Sequence, residues 1–185
     1  MMLQNQPLLT LLLTDILLGV VWHYATFFLC VFMKKSTFSP DRRMYRPRKW
    51  ERGGRFYNDV LKINRWKDHL PRHIGKDGFS KEHLDDVSPE YLDEFILETC
   101  RGEWNHRANC LFTAVLFLIN PVPLAAVLTI LLLLGNLPFA FIQRYNRFRL
   151  QKLKQMLTRK ARRTHEHHKT DGSPTAPEAD PCRRS

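Results

Sequence analysis

The chain has 185 residues, enough for about one domain, and carries a formal net charge of +11. Its mean hydropathy of -0.35 averages two different kinds of segment, because apolar runs alternate with strongly basic ones. Residues 8–33 hold no Lys, Arg or Glu, and residues 108–142 hold no charge at all. This segregation favours anionic lipid headgroups and anionic substrates as partners and argues against nucleic acid.

The first apolar run, within residues 1–33, predicts a retained transmembrane helix. It lacks the basic n-region of a signal peptide, and Lys34 and Lys35 follow it where a cleavage site would be expected. A run of about 20 apolar residues is long enough to cross a bilayer. The first segment is therefore expected to remain in the membrane.

The second apolar block is interpreted as two passes. Pro121 and Pro123 divide it, and prolines this close together end one helix and begin another. The later pass, residues 124–142, has full length. The earlier pass, residues 108–119, provides only about 18 Å of helix. It can span by continuing the preceding helix or by sitting in a thinned bilayer; otherwise it is re-entrant.

The distribution of basic residues predicts the orientation. Lysines and arginines follow the first and last spans, whereas the N-terminal flank and the proline turn carry none. By the positive-inside rule, the N-terminus lies outside and the C-terminus inside, with three spans in the cell membrane. The predicted fold is an all-α, multi-pass integral membrane protein with about three transmembrane helices, a basic cytosolic segment and an interfacial helix.

The remaining segments complete the predicted organisation. Residues 34–87 form the basic cytosolic segment, with a possible short helix over residues 56–66. Ser88, followed by Pro89 and an acid, is a typical helix start, so residues 88–143 are expected to form an interfacial helix leading uninterrupted into a transmembrane hairpin. Residues 144–163 then form a basic cytosolic helix. Residues 164–185 are expected to be a disordered tail.

Metal and disulfide chemistry is not expected. The sequence E-x-x-H at Glu103 and His106 occurs in carboxylate-bridged di-iron proteins, but those require a second copy and further glutamates. The cysteines show no paired or C-x-x-C spacing, which predicts neither a disulfide framework nor a zinc site. They are Cys30, Cys100, Cys110 and Cys182. We therefore expect no metal and no cofactor.

The helix predicted from Ser88 carries the most specific candidate site. One stripe at helical spacing contains Leu92, Phe95, Ile96, Thr99, Glu103, His106 and Cys110. A carboxylate and an imidazole three residues apart can form a hydrogen bond. Such a bond would orient the ring of His106 and raise its basicity, as a general base requires. We predict Glu103 and His106 as catalytic residues; the alternative is an interfacial pair that fixes the helix tilt.

Further polar residues extend the candidate site. Asn136, Gln143 and Arg147 share one face of the last span, where polar groups normally point into the protein. Substrate contact and helix–helix hydrogen bonding both explain them. Glu98 and Arg101 lie off the stripe, where they could meet the basic segment or water.

A basic, aromatic surface is predicted in the cytosolic segment. Residues 50–57 and 65–71 contain arginines, glycines and aromatic side chains, among them Trp66 and Lys67. Such a surface could lie on anionic lipid with its tryptophans at headgroup depth, or bind phosphate, or stack on sugar rings. Its composition does not separate these uses.

Together these motifs resemble the glycosyl-4,4'-diaponeurosporenoate acyltransferases of bacterial staphyloxanthin-type carotenoid biosynthesis. The resemblance covers roughly residues 15–160 and rests on four motifs. They are Trp50-Glu-x-x-Gly-Gly-Arg-Phe-Tyr57, Arg65-Trp-Lys67, Glu98-Thr-x-Arg-Gly-Glu-x-x-His106, and Asn136-x-Pro138 followed by Gln-Arg-Tyr-Asn-Arg147. Phe148 departs from the proline expected in the family.

The resemblance implies a membrane enzyme that esterifies a sugar hydroxyl of a glycosylated carotenoid, or a related glycolipid, with a fatty acyl chain. An acyl thioester is the implied donor, and membrane lipids are the implied surroundings. In this hypothesis His106 takes the hydroxyl proton. The substrate-binding residues of this hypothesis, none of them carried over from the family, are Arg101, Glu98, Asn136, Gln143, Arg144, Asn146, Arg147, Trp66 and Lys67, with Arg144, Arg147 or Asn136 holding the oxyanion or the donor. The alternative is a non-enzymatic membrane protein that binds anionic lipid or scaffolds a biosynthetic complex.

Overall fold

The computed structural model describes residues 6–70 and 88–171, whose regular structure is helical without strands. The α-helices are α1 (Leu8–Phe32), α2 (Arg55–Asp59), α3 (Ile63–Trp66), α4 (Pro89–Cys110), α5 (Phe112–Ile119) and α6 (Val122–Asp171). Three short 3-10 helices cover Lys35–Phe38, Lys49–Gly54 and Lys67–His69. The predicted all-α class is confirmed for this part of the chain.

Two helices are long and apolar enough to cross a membrane. They are Leu8–Phe32 and the stretch Val122–Arg163 of α6. Few of their apolar side chains are buried, and many are exposed, including Leu13 and Leu131, unlike those of a core helix in a soluble protein. These helices fit a membrane protein, whereas three spans and an outside N-terminus stay predictions.

The interfacial helix begins as predicted but is not continuous with the next pass. The Ser88 side chain accepts a hydrogen bond from the N–H of Tyr91 (3.2 Å) and caps α4. At the other end, the N–H of Leu111 bonds the carbonyl of Ala108 (3.1 Å), and this tight turn separates α4 from α5. The expectation of an uninterrupted helix is therefore wrong at Leu111. With eight residues, α5 does not reach across a bilayer by itself.

Polar side chains align α1 with α4 and α5. Asp15 accepts a hydrogen bond from Asn120 (2.8 Å) at one end of the contact. Further along, Thr26 donates to Asn109 (2.8 Å). As numbers rise in α1 they fall in the partner helices, so the two run antiparallel. The short helix α5 thus follows α4 alongside α1, and whether it spans the bilayer or re-enters stays open.

The last helix is longer than expected. Pro138 lies inside α6 without ending it, and the helix continues to Asp171. Residues 164–171, assigned by prediction to the tail, are therefore helical, and residues 172–185 lie outside the described part. Beyond the apolar stretch, Leu150 packs with Leu92 and Ile96 of α4. This contact extends the α4–α6 pairing beyond the apolar part of α6.

The basic segment folds back against α6. Helices α2 and α3 occupy the region of the predicted helix over residues 56–66, and Tyr57 and Ile63 pack on Tyr145 and Phe148. Gly54 makes this approach possible, since its φ is +90° and a Cβ there would lie 2.8 Å from the Cβ of Phe148. Residues 71–87 of the basic segment lie outside the described residues.

Candidate active site

A buried ionic network joins three separate parts of the chain. It consists of Glu51 from a 3-10 helix, Glu103 from α4, and Arg144 and Arg147 from α6. Each of the four residues is less than a tenth exposed. Two carboxylates face two guanidinium groups, so their formal charges cancel. Buried charges persist when they are paired and hydrogen-bonded in this way.

Arg144 uses its whole guanidinium group inside the protein. Its Nε donates to Glu51, and its Nη2 donates to Glu51 (2.9 Å) and the carbonyl of Arg46 (2.9 Å). Its Nη1 donates to the carbonyl of Met44 (3.1 Å) and to Glu103 (3.1 Å). A guanidinium has five N–H donors, and six acceptor oxygens surround this one, counting both oxygens of Glu51 and of Glu103. No donor of Arg144 is left for a substrate oxyanion in this geometry, and its role in holding the oxyanion or the acyl donor stays a prediction.

Glu103 is bound by arginines and does not pair with His106. Its carboxylate accepts from Arg144, from Arg147 and from Arg107 (3.3 Å). The described residues contain no hydrogen bond between Glu103 and His106, so the predicted bond between them is wrong, whereas their catalytic roles stay predictions. Arg147 is likewise occupied, with Nη1 on the sulfur of Cys100 (3.4 Å). The carboxylate therefore organises charge and does not orient the imidazole.

Glu51 is the network member that sequence reasoning missed. It accepts from the Tyr57 hydroxyl (2.6 Å) and the backbone N–H of Arg48 (2.5 Å), besides Arg144. Burial alone would raise the pKa of Glu51, but the hydrogen bonds from Arg144, Tyr57 and Arg48 together hold that pKa below its usual value. The available signal is the single acid within residues 50–57, where the composition predicts an exposed basic surface but the structure buries Glu51.

His106 instead contacts α6 through Asn136. Its Nδ1 lies 3.3 Å from Oδ1 of Asn136. The amide cannot be turned around, because its Nδ2 donates to the carbonyl of Leu132 (3.0 Å) and a carbonyl oxygen only accepts. Oδ1 therefore faces the ring, and Nδ1 must carry the proton to make this bond. The neutral imidazole then has its lone pair on Nε2.

The ring of His106 is held in place while Nε2 stays open. Phe139, one turn after Asn136, stacks on the imidazole with 5.2 Å between centroids and 16° between planes. Nε2 has no hydrogen-bond partner in the described part of the chain. This nitrogen is also not completely buried, so its lone pair is accessible. An oriented imidazole with an accessible lone pair can accept a proton.

Gln143 packs against α4, and Asn146 lies about one turn further along α6. Gly102 packs against Gln143 so closely that a Cβ at this glycine would lie 2.9 Å from the Gln143 side-chain carbon Cδ. Asn146 is half-buried. Gly102 thus allows α4 and α6 to approach between the His106 contact and the ionic network.

The other predicted binding residues lie apart from this contact. Arg101 pairs with Glu98 (2.5 Å) and lies over the ring of Phe38, on the side of α4 that meets the basic segment. Trp66 donates to the carbonyl of Leu61 (2.8 Å). Lys67 lies 5.6 Å from the ring centroid of Tyr145. The predicted residues therefore do not form one site.

Residues 6–70 and 88–171 contain no cluster of three or more metal-ligating side chains. Three of the four cysteines lie in these ranges and are free thiols: Cys30, Cys100 and Cys110. Cys100 is fully buried, and burial is the main cause that raises the pKa of its thiol. A buried, protonated thiol is inert as a nucleophile. Cys182 lies outside the described residues.

Comparison with known proteins finds relatives for the central part of the chain. A family model described as "Glycosyl-4,4'-diaponeurosporenoate acyltransferase" matches residues 41–156. Proteins of that name from Staphylococcus aureus strains Newman and USA300 are 27% and 26% identical over 116 residues, which is 62% of this chain and 70% of each relative. No solved structure matches the chain.

Proposed function

The chain belongs to the glycosyl-4,4'-diaponeurosporenoate acyltransferase family, and on that premise we propose that it is a membrane-bound O-acyltransferase. Its acceptor is a sugar hydroxyl of a glycosylated carotenoid or related glycolipid, and the transferred group is a fatty acyl chain. Curated relatives carry the acyltransferase name, which supports this reaction class. His106 is the proposed general base.

The single observation that carries the role of His106 is its open, oriented Nε2. The contacts to Asn136 and Phe139 hold the ring, and neither uses this nitrogen. A hydroxyl is a poor nucleophile until a base removes its proton, and a positioned base contributes about 10²- to 10⁴-fold to such reactions. Glu103 has its carboxylate bound by arginines and is proposed to hold α4 in register with α6.

The proposed reaction is a direct transfer. The acceptor oxygen attacks the carbonyl carbon of an acyl thioester while its proton moves to Nε2 of His106. A carbon–oxygen bond forms, the carbon–sulfur bond breaks, and the leaving thiolate takes the proton from the imidazolium. The products are the ester and a free thiol, and His106 returns to its neutral form.

Substrate contacts are proposed for the polar groups that the buried network leaves available. Arg107 makes one bond to Glu103 and is 44% exposed, so its guanidinium has donors to spare for an anionic donor. Gln143, which packs against Gly102 of α4, and Asn146, about one turn further along α6, are proposed to bind sugar hydroxyls. Arg144 and Arg147 are proposed to support this surface from beneath.

The proposed setting is the cytosolic face of the cell membrane, with a multi-pass topology. The two long apolar helices support membrane attachment. Basic side chains from residue 42 to residue 65 are exposed where the chain leaves α1, which fits an anionic headgroup layer or an anionic thioester donor. Three spans with the N-terminus outside stay part of this proposal.

Lipid mass spectrometry of cells that produce the protein tests the proposal. Cells with the wild-type chain should contain a glycolipid carrying one added acyl group, and cells with His106→Gln should lose about 99% or more of it. His69→Gln is the matched control, since His69 is an exposed histidine in the 3-10 helix Lys67–His69. It should retain acylation within about threefold.

Equal protein levels in the membrane fraction must accompany the comparison. Unchanged lipids with and without the wild-type chain would favour the non-enzymatic scaffold over the enzyme. Full acylation by His106→Gln would remove His106 as the base while leaving the acyltransferase reaction in place. The two failures are therefore distinguishable.

A further inference from the structure

Asn136 is a polar residue in the apolar half of α6, where hydrogen bonding is costly to leave incomplete. Both ends of its amide are used. Nδ2 donates to the carbonyl of Leu132 in its own helix, and Oδ1 faces Nδ1 of His106. Its side chain is thus occupied by the protein, which removes it from the predicted oxyanion-binding residues.

The orientation of this amide has a chemical consequence for His106. A neutral imidazole has two tautomers, and which nitrogen keeps the proton depends on the bond made by the other. Asn136 offers an acceptor at Nδ1, so it favours the tautomer with the proton on Nδ1. If the proton sat on Nε2, Nδ1 and Oδ1 would be two acceptors facing each other at 3.3 Å.

From these contacts we infer that Asn136 is a positioning residue that fixes His106 in its Nδ1–H tautomer. This inference rests on the proposed role of His106 as a base. The tautomer presents the Nε2 lone pair to the acceptor hydroxyl, which is the form that can take its proton. Phe139 adds the orientation of the ring plane, and Asn136 adds the location of the proton. When His106 becomes protonated, the same Nδ1–H bond remains in place.

The partner of the His106 ring is the amide of Asn136 and not a carboxylate of the ionic network. A carboxylate usually orients a catalytic imidazole, and Glu103 lies three residues away on the same helix, but arginines occupy it. An amide is a weaker, uncharged acceptor than a carboxylate. It suits a site in an apolar section, since it defines the tautomer without burying a second charge.

Nitrogen NMR of the detergent-purified full chain, labelled with ¹⁵N-histidine, tests the tautomer directly. His106→Gln identifies the His106 signals by their disappearance. The wild-type spectrum at pH above the titration of this ring should show a protonated Nδ1 and an unprotonated Nε2. A wild-type spectrum with the proton on Nε2 would overturn the inference, whatever the enzyme assay shows.

Two variants of Asn136 add the functional readout. Asn136→Leu should shift His106 toward the Nε2–H tautomer and lower kcat about 10- to 100-fold with little change in KM. Asn136→Asp keeps an acceptor at Nδ1 and should restore the Nδ1–H pattern and at least about a tenth of the wild-type kcat. Unchanged tautomer and activity in Asn136→Leu would contradict the inference.

Thr129→Val is the matched control for these variants. Thr129 lies two turns before Asn136 on α6, and its hydroxyl is buried without a hydrogen-bond partner. Removing this hydroxyl should leave both the ¹⁵N pattern and the activity unchanged. Should Asn136→Leu fail to fold, the wild-type spectrum and the Asn136→Asp variant still decide the question. If the wild-type protein shows the proton on Nδ1 but has no acyltransferase activity, that result would count against the acyltransferase proposal alone.

Discussion

Two regions of the α4–α6 contact use polar residues in opposite ways. The ionic network around Arg144 satisfies every guanidinium donor, and its charges cancel inside the protein. The contact of His106 with Asn136 uses one imidazole nitrogen and leaves the other open. A saturated network holds helices together, whereas chemistry requires a group with unused capacity. In this protein, the cluster of charged residues is therefore the stabilising region, and the reactive region is the one with a free imidazole nitrogen.

The largest effect is expected from removing Arg144, which tests whether the ionic network stabilises the fold. Arg144→Leu leaves Glu51 and part of Glu103 as buried, unpaired carboxylates, and breaking a buried pair in this way costs about 3–5 kcal/mol. Thermal unfolding of the purified protein in detergent should show this as a much lower midpoint. Lys152→Ala, an exposed position on the same helix, should unfold like wild type. A stable Arg144→Leu protein would mean that the network is not needed for folding.

Removing both charges of one pair should recover part of the lost stability. In the double variant Glu51→Leu with Arg144→Leu, Glu103 and Arg147 remain as a balanced pair. The measured coupling between the two sites should be about 1–3 kcal/mol, obtained from the single and double variants in a double-mutant cycle. Strictly additive losses would show that Glu51 and Arg144 contribute independently despite their contact.

The close approach between the two regions can be tested at Gly102. Gly102→Val places atoms where the Gln143 side chain lies and should destabilise the protein by about 1–3 kcal/mol through overpacking. Because the clash is with a side chain, Gln143→Ala in the same protein should restore much of the loss. If the second change rescues nothing, the glycine is required for another reason. Unfolding midpoints of the wild type, the two single variants and the double variant provide the measurement.

The smallest effect expected is a pH dependence of the ionic network. The pKa of Glu51 is lowered in the folded protein from an unfolded value of about 4.3, so its contribution is present above that pH. It is lost as pH falls through the lower folded pKa. The stability difference between wild type and Glu51→Gln should therefore shrink in acid. A difference that grows as pH falls would contradict the sign of this shift.

How far sequence reasoning reached differs from residue to residue. Helical phase placed Glu103 and His106 on one stripe of α4 and Asn136 and Gln143 on one face of α6. It could not say which residues of the two faces meet. The i, i+3 spacing favoured a Glu103–His106 bond, but α6 supplies arginines to the carboxylate and an amide to the imidazole. Partners from another helix compete with local ones, and spacing does not report on them.

The sequence by itself determined the helical class, the two long apolar helices and the cap at Ser88, because these depend on local composition and periodicity. Tertiary structure alone decided that Glu51, 93 residues from Arg144, belongs to the buried network. It also decided that Asn136, 30 residues from His106, is the partner of the imidazole. Such contacts depend on how helices pack, and burial then makes each polar group find the partner that packing brings near.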